Sequence, residues 1–202
     1  MAKAPEPGRV KTRLCPPCTP EEAAALAEAA LIDTLGAVAD APAAWRVLAL
    51  DGRPGPWLPA GVDVIVQRGE GLADRLAAAF DDVGAPAIVI GADTPQVTAE
   101  LLATSLAALM AGGTDAVFGA ADDGGYWALG LRRPNRDVFR DVPMSLPTTG
   151  VVQRRRLWEL GLRVTDLPSL RDVDDFDDAC AVAAEIPSSR FAATLTSVMV
   201  GP

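Results

Sequence analysis

The 202-residue chain carries 27 acidic and 18 basic side chains and no histidine, for a net charge of −9 and a pI near 4.5. That field repels a polyanion, so nucleic acid is not an expected partner, and the lack of histidine excludes Ser-His-Asp and Cys-His nucleophiles and histidine-ligated zinc. Half of the residues are hydrophobic, yet no apolar run approaches the roughly 20 residues that cross a bilayer. These features suit one soluble α/β domain over residues 1–202, with no secretory leader and a cytoplasmic address.

In chain order, Met1-Ala2 leads straight into Lys3-Ala4-Pro5. A phosphate-binding loop in an α/β sheet is ordinarily fed by an apolar strand, so the first strand is expected to be missing from the given sequence and to lie upstream. Pro5 and Pro7 hold the next stretch extended and Gly8 permits a turn close to a ligand. Lys3, Arg9, Lys11 and Arg13 concentrate positive charge there, in an otherwise acidic chain. The pattern suits a phosphate, the alternative being a solvated basic turn. Cys15 and Cys18 form a C-P-P-C pair with no second pair to complete a zinc site, and read as an ordinary loop; Cys180 reads as a small buried apolar residue.

Thr19 followed by Pro20, Glu21 and Glu22 marks a helix start, and the helix is expected to run to about Val38. Strands are expected over 46–50, 62–67, 87–91, 116–119 and 126–131, with helices over 71–83 and 98–110. A basic helix carrying Arg154, Arg155 and Arg156 follows Thr149 and ends at Gly161. A short strand near 162–165, the acidic segment 171–178 and a final helix or two broken by Pro187 complete the chain. Alternation of apolar β-branched runs with Ala/Leu-rich helices predicts βαβ units around a mostly parallel sheet.

Three further segments carry candidate chemistry. The apolar run 88–90 ends in Gly91 and is followed by Asp93, at the strand end where open α/β sheets bind ligands. A carboxylate there suits Mg²⁺ or Mn²⁺ through oxygen, or else caps the helix after Pro95. Asp123, Gly124, Gly125 and Tyr126 offer close backbone approach and an aromatic face to a substrate, although spacing alone favours a hairpin turn of the Asp-Gly kind before a core strand. Asp172 and Asp174 face one way on an extended chain and offer a second metal carboxylate, with Asp177 and Asp178 as helix-start acids.

Taken in order, KAPEPGRVKTRL, GADTP, DDGGYWALGL and LGLRVTDLPSLRDVDDFDD resemble a bacterial family of glycosyltransferases of the arsenosugar-biosynthesis type. That family is similar in turn to the molybdenum-cofactor and phosphoenolpyruvate guanylyltransferases. The resemblance implies the three-layer glycosyltransferase-A fold, a mostly parallel sheet with helices on both faces. It implies a metal-dependent transferase that takes a nucleotide-sugar donor and passes the sugar to a small-molecule acceptor. Nucleotidyl transfer from a nucleoside triphosphate is the rival chemistry, and a catalytically inactive nucleotide-binding module the non-enzymatic one. By the same resemblance, Gly8, Lys11 and Arg13 cradle phosphate; Lys3 and Pro7, by their place in the same loop, and Gly91, by its place at the strand end, are expected beside it. Asp93 then acts with Lys11 and Arg13 at the reacting centre, and Asp93 with Asp172 or Asp174 holds Mg²⁺ or Mn²⁺. One departure is Asp175-Phe176-Asp177, where the family has Thr-Pro-Glu, a change that touches the cap of the following helix.

Overall fold

The computed structural model describes residues 1–84 and 86–200. They fall into two compact units, one formed by Met1–Val64, Ala92–Ala99 and Arg171–Pro202, the other by Ile65–Gly91 and Glu100–Leu170.

In the first unit, β1 (Ala2–Lys3) pairs in parallel with β2 (Val47–Asp51), Ala2 opposite Leu50 and Lys3 opposite Asp51. The sequence led us to expect no strand before the basic loop. The structure corrects this with a two-residue strand, held because β2 supplies the ladder and the next residue, Ala4, is buried against Leu48 and Leu50. In this sheet β3 (Asp63–Val66) follows β2. The long helix α1 (Pro20–Asp40) starts at a reciprocal cap: Glu22 N–H donates to Thr19 Oγ1 at 3.2 Å, and Thr19 N–H donates to the Glu22 carboxylate at 2.7 Å.

Alanines on α1 let neighbours approach on two sides. Leu31 and Leu35 pack with Leu48, Leu50 and Val62, while Leu26, Ala29 and Ala30 pack with Val173 and with helices α5 (Phe176–Glu185) and α6 (Arg190–Val200). Asp33 ties the two ends of the unit's sequence together by accepting the Arg190 and Phe191 N–H groups at 3.2 and 2.8 Å, which caps α6 from α1.

The second unit contains α2 (Leu72–Val83), β4 (Ala87–Ile90), α3 (Ala99–Met110), β5 (Ala116–Ala121), β6 (Tyr126–Leu131), α4 (Thr149–Glu159) and β7 (Val164–Leu170). Its strand order is β4-β6-β5-β7. β6 runs antiparallel to both neighbours, whereas β5 and β7 are parallel. The antiparallel insertion follows from the Asp122–Gly125 turn, which returns the chain at once instead of through a crossover helix. Gly130 sits where a side chain would collide with Val117 and Ile88, which explains a glycine inside the central strand. Among the described residues, no helix is long and apolar enough to cross a membrane.

Candidate functional site

The basic loop leaves β1 through a turn in which Arg9 N–H donates to Glu6 C=O at 3.1 Å and Gly8 takes φ 74°. Pro7 and Gly8 are exposed at its tip, and the side chain of Lys3 is exposed on β1. Lys11 adopts φ 48° and ψ 37°, a left-handed conformation that costs a residue with a Cβ about 1–2 kcal/mol, and it opens a single 3₁₀ turn over Thr12–Leu14. The turn is anchored by Leu14, fully buried among Leu26, Val173 and Phe191.

From that position the largely buried Lys11 ammonium forms an ion pair with Asp93 and donates to the Val173 carbonyl at 2.5 Å. Asp93 returns a main-chain contact, its carbonyl accepting from Val173 N–H at 2.9 Å. The Asp93 carboxylate therefore faces a cation. It does not cap a helix, since α3 begins only at Ala99. Arg13 pairs with Asp174 at 2.7 Å on a more exposed flank.

The segment 171–174 is extended, and its residues alternate in role. Val173 is buried in the core between α1, α5 and α6, whereas Asp172 and Asp174 are half-buried and present carboxylate oxygens within 4.8 Å of each other. The structure thus joins Lys11 to Asp93 and Arg13 to Asp174, and sets Asp172 beside Asp174. The departure Asp175-Phe176-Asp177 leaves the next helix capped: Asp178 N–H donates to Asp175 at 3.0 Å, and Asp175 N–H donates back to Asp178 at 3.3 Å.

Gly91 has another use. Its N–H donates to the Trp127 carbonyl at 3.1 Å, extending the β4–β6 ladder, so this amide is engaged within the sheet. In the second unit, Asp122–Gly125 forms the β5–β6 turn, closed by Gly125 N–H donating to Asp123 Oδ1 at 2.6 Å. The Tyr126 hydroxyl turns inward to Gln153 at 3.4 Å, and burial raises its pKa well above the usual phenol range. The turn leaves Asp122 and Asp123 exposed.

Two features carry no sequence signal strong enough to have been singled out. Gly150 packs so closely on the turn that an added Cβ would lie 2.5 Å from the Gly125 carbonyl oxygen, while its N–H donates to Gly124 C=O at 2.8 Å. A glycine in the first turn of a predicted helix was the available clue. The other is Gln96, whose amide donates to the Arg171 carbonyl at 2.5 Å. Cys15, Cys18 and Cys180 are free thiols: Cys18 is buried in the apolar core, whereas Cys15 and Cys180 are only partly buried against it, so Cys180 is less enclosed than the sequence leads one to expect.

Chain order, sheet pattern and helix placement define the fold of the nucleotide-diphospho-sugar transferases. The chain belongs to the bacterial family described as DUF2064, uncharacterized protein conserved in bacteria, whose model matches residues 23–146. A Desulfovibrio desulfuricans G20 protein, provisionally named a nucleotide-diphospho-sugar transferase, is 28% identical, with a TM-score of 0.83 over 96% of this chain and 90% of that one. Likeness in fold extends to CMP:2-keto-3-deoxy-manno-octonic acid synthetase complexed with CTP, at 16% identity, TM-score 0.53 and coverage of 78% and 87%. It extends also to Rv0371C of Mycobacterium tuberculosis H37Rv complexed with manganese, at 22% identity, TM-score 0.52 and coverage of 90% and 94%. No curated protein matches the chain.

Proposed function

We propose that this protein is a divalent-metal-dependent glycosyltransferase whose first unit holds the diphosphate of a nucleotide-sugar donor. The observation that carries the reading is the pairing of Lys11 with Asp93 and of Arg13 with Asp174 on one wall of that unit. Cations and carboxylates alternating in one place suit a ligand that is itself an anion carrying a cation. The 28% identical Desulfovibrio protein, provisionally named a nucleotide-diphospho-sugar transferase and alike over nearly the whole chain, supports the same class.

The donor set fits a hard cation. Asp172 and Asp174 offer only oxygen, and the chain has no histidine to favour a softer metal. Asp172 and Asp174, with Asp93, would hold Mg²⁺ or Mn²⁺; when bound, such a cation supplies charge neutralisation to a departing diphosphate.

The chain's own residues do the rest. Lys11 and Arg13 exchange a carboxylate oxygen for a phosphate oxygen and so hold the diphosphate in a fixed place. Gly8, at the exposed tip of the loop, lets the main chain come close to the ligand without a side chain in the way. Asp123, Gly124 and Gly125 are assigned substrate contact through the carboxylate and main chain of their turn.

A thermal-shift screen of nucleoside diphosphate sugars and nucleoside triphosphates, each with Mg²⁺ or Mn²⁺, tests the assignment. Selective binding raises the melting temperature in proportion to the logarithm of ligand concentration over Kd. Stabilisation by a diphosphate sugar in the presence of metal is the expected result. A preference for triphosphates reassigns the chemistry to nucleotidyl transfer, and no response to either class removes the proposal.

A further inference from the structure

Asp93 to Val97 form a short turn between β4 and α3, with Val97 N–H donating to Thr94 C=O at 3.1 Å and Thr94, Pro95 and Val97 buried. This turn holds the segment 171–174 by main-chain groups on alternate residues. The Asp93 carbonyl takes Val173 N–H at 2.9 Å, and the Gln96 amide donates to the Arg171 carbonyl at 2.5 Å. Because the segment is extended, clamping residues 171 and 173 orients residues 172 and 174 together. Those two are the acids whose oxygens lie within 4.8 Å of each other.

The Gln96 amide can be oriented only one way. Its NH₂ must face the Arg171 carbonyl, because the reverse orientation would set oxygen against oxygen. The consequence is an Oε1 atom that is buried without a hydrogen-bond partner. Thr94 Oγ1, on the same turn, is the other such atom among the described residues. An uncompensated buried oxygen on the side chain that holds the Arg171 carbonyl, next in sequence to Asp172, is the kind of local cost that a fold retains at a site with work to do.

We infer that Gln96 is a positioning residue for the metal: by holding the Arg171 carbonyl it sets the separation of the Asp172 and Asp174 carboxylates. The inference rests on the metal assignment made above. Residues that orient metal ligands without touching the metal are worth about 10–100-fold in metal affinity.

Mn²⁺ alone serves as the probe, titrated into the full chain and followed by the paramagnetic resonance of the free aqueous ion. The variants are Gln96→Leu, which removes the donor and the orphaned oxygen together, and Gln96→Glu, which keeps the size and removes the donor. Both are expected to bind Mn²⁺ about 10–100-fold more weakly than the wild type. Nucleotide affinity measured without metal stays unchanged, and so does the melting temperature of Gln96→Leu. If one variant fails to fold, the other carries the comparison.

Wild-type Mn²⁺ affinity in both variants, with or without a lower melting temperature, means that Gln96 serves the fold alone, and overturns the inference while leaving the metal site intact. A wild-type chain that takes up no Mn²⁺ overturns the metal assignment, and this inference with it.

Discussion

Lys11 is the residue at which conformation and chemistry meet. Its left-handed backbone is unfavourable for any side chain, and what offsets the cost is an ammonium seated between the Asp93 carboxylate and the Val173 carbonyl. Arg13, two residues on, reaches Asp174, whereas Arg155 on α4 pairs with Glu159 one helical turn away, at 2.9 Å. Arg13→Ala is therefore expected to weaken nucleotide-diphosphate binding by about 1.5–3 kcal/mol, the worth of a charge-assisted contact, and Arg155→Ala to leave it unchanged. Calorimetric titration of both variants checks the ranking, and equal dissociation constants would refute it.

Asp93→Asn separates a ligand-handling acid from a structural one in the same way. The Lys11–Asp93 pair has the acid more than half exposed, so losing the charge is expected to cost under about 1 kcal/mol of stability while abolishing metal-dependent turnover. Urea unfolding and a turnover assay with Mg²⁺ or Mn²⁺ read the two effects separately, and full activity would sink the assignment. Charge pattern made Lys11, Arg13 and the acids legible in the sequence. Gln96 and the Val173 carbonyl were not, because a main-chain acceptor leaves no trace in residue type and Lys11 and Val173 are 162 positions apart. Gly91 was placed near phosphate on position alone, but its amide was claimed by the sheet.

Helix starts were the most legible elements, since their caps are local. Thr19 with Glu22 behaves as the sequence leads one to expect, and Asp175 with Asp178 does the same work at α5. Asp175→Ala is expected to lose about 1 kcal/mol in urea unfolding and Asp177→Ala very little, because the first is the N-cap that accepts an N–H of the opening turn. The strand β7 was harder to read. It runs to Leu170, well past the short stretch near 162–165, because β5 supplies a parallel partner, and Pro168 inside it is tolerated on the end strand of the order.

Just before β5 and β7, Asp115 accepts two bonds from the Arg163 guanidinium, at 2.7 and 3.0 Å, and one from its N–H at 3.0 Å. These hold the Asp115 carboxyl well below the usual carboxylate range. A depressed folded-state pKa stabilises above the ordinary aspartate value and loses that contribution as pH falls through and below it. Asp115→Asn should therefore lower the melting temperature at neutral pH, with the gap to wild type closing below about pH 4. A gap that stays constant from neutral to acid pH would show that this pair contributes nothing through its charge.

For the molecule as a whole, charge is the most informative sequence property. With a net −9, the chain attracts an anion only where basic residues are concentrated, and the loop after β1 is one such place. The division into two compact units was not legible, because its boundaries do not follow linkers: one falls between Val64 and Ile65, inside β3, and another follows Gly91, directly after β4. The α/β class itself was readable from periodicity, whereas the antiparallel course of β6 rested on one four-residue turn.

The central claim is that the first unit binds a diphosphate through its basic loop together with a divalent cation. Its most direct test is calorimetric titration of the full chain with nucleoside diphosphates, first in Mn²⁺ and then in excess chelator. Saturable binding in Mn²⁺ that weakens at least about tenfold in chelator, and likewise in Asp174→Asn, is the predicted result. Equal affinity with and without the metal, or no binding of any nucleoside diphosphate at millimolar concentration, would contradict the account.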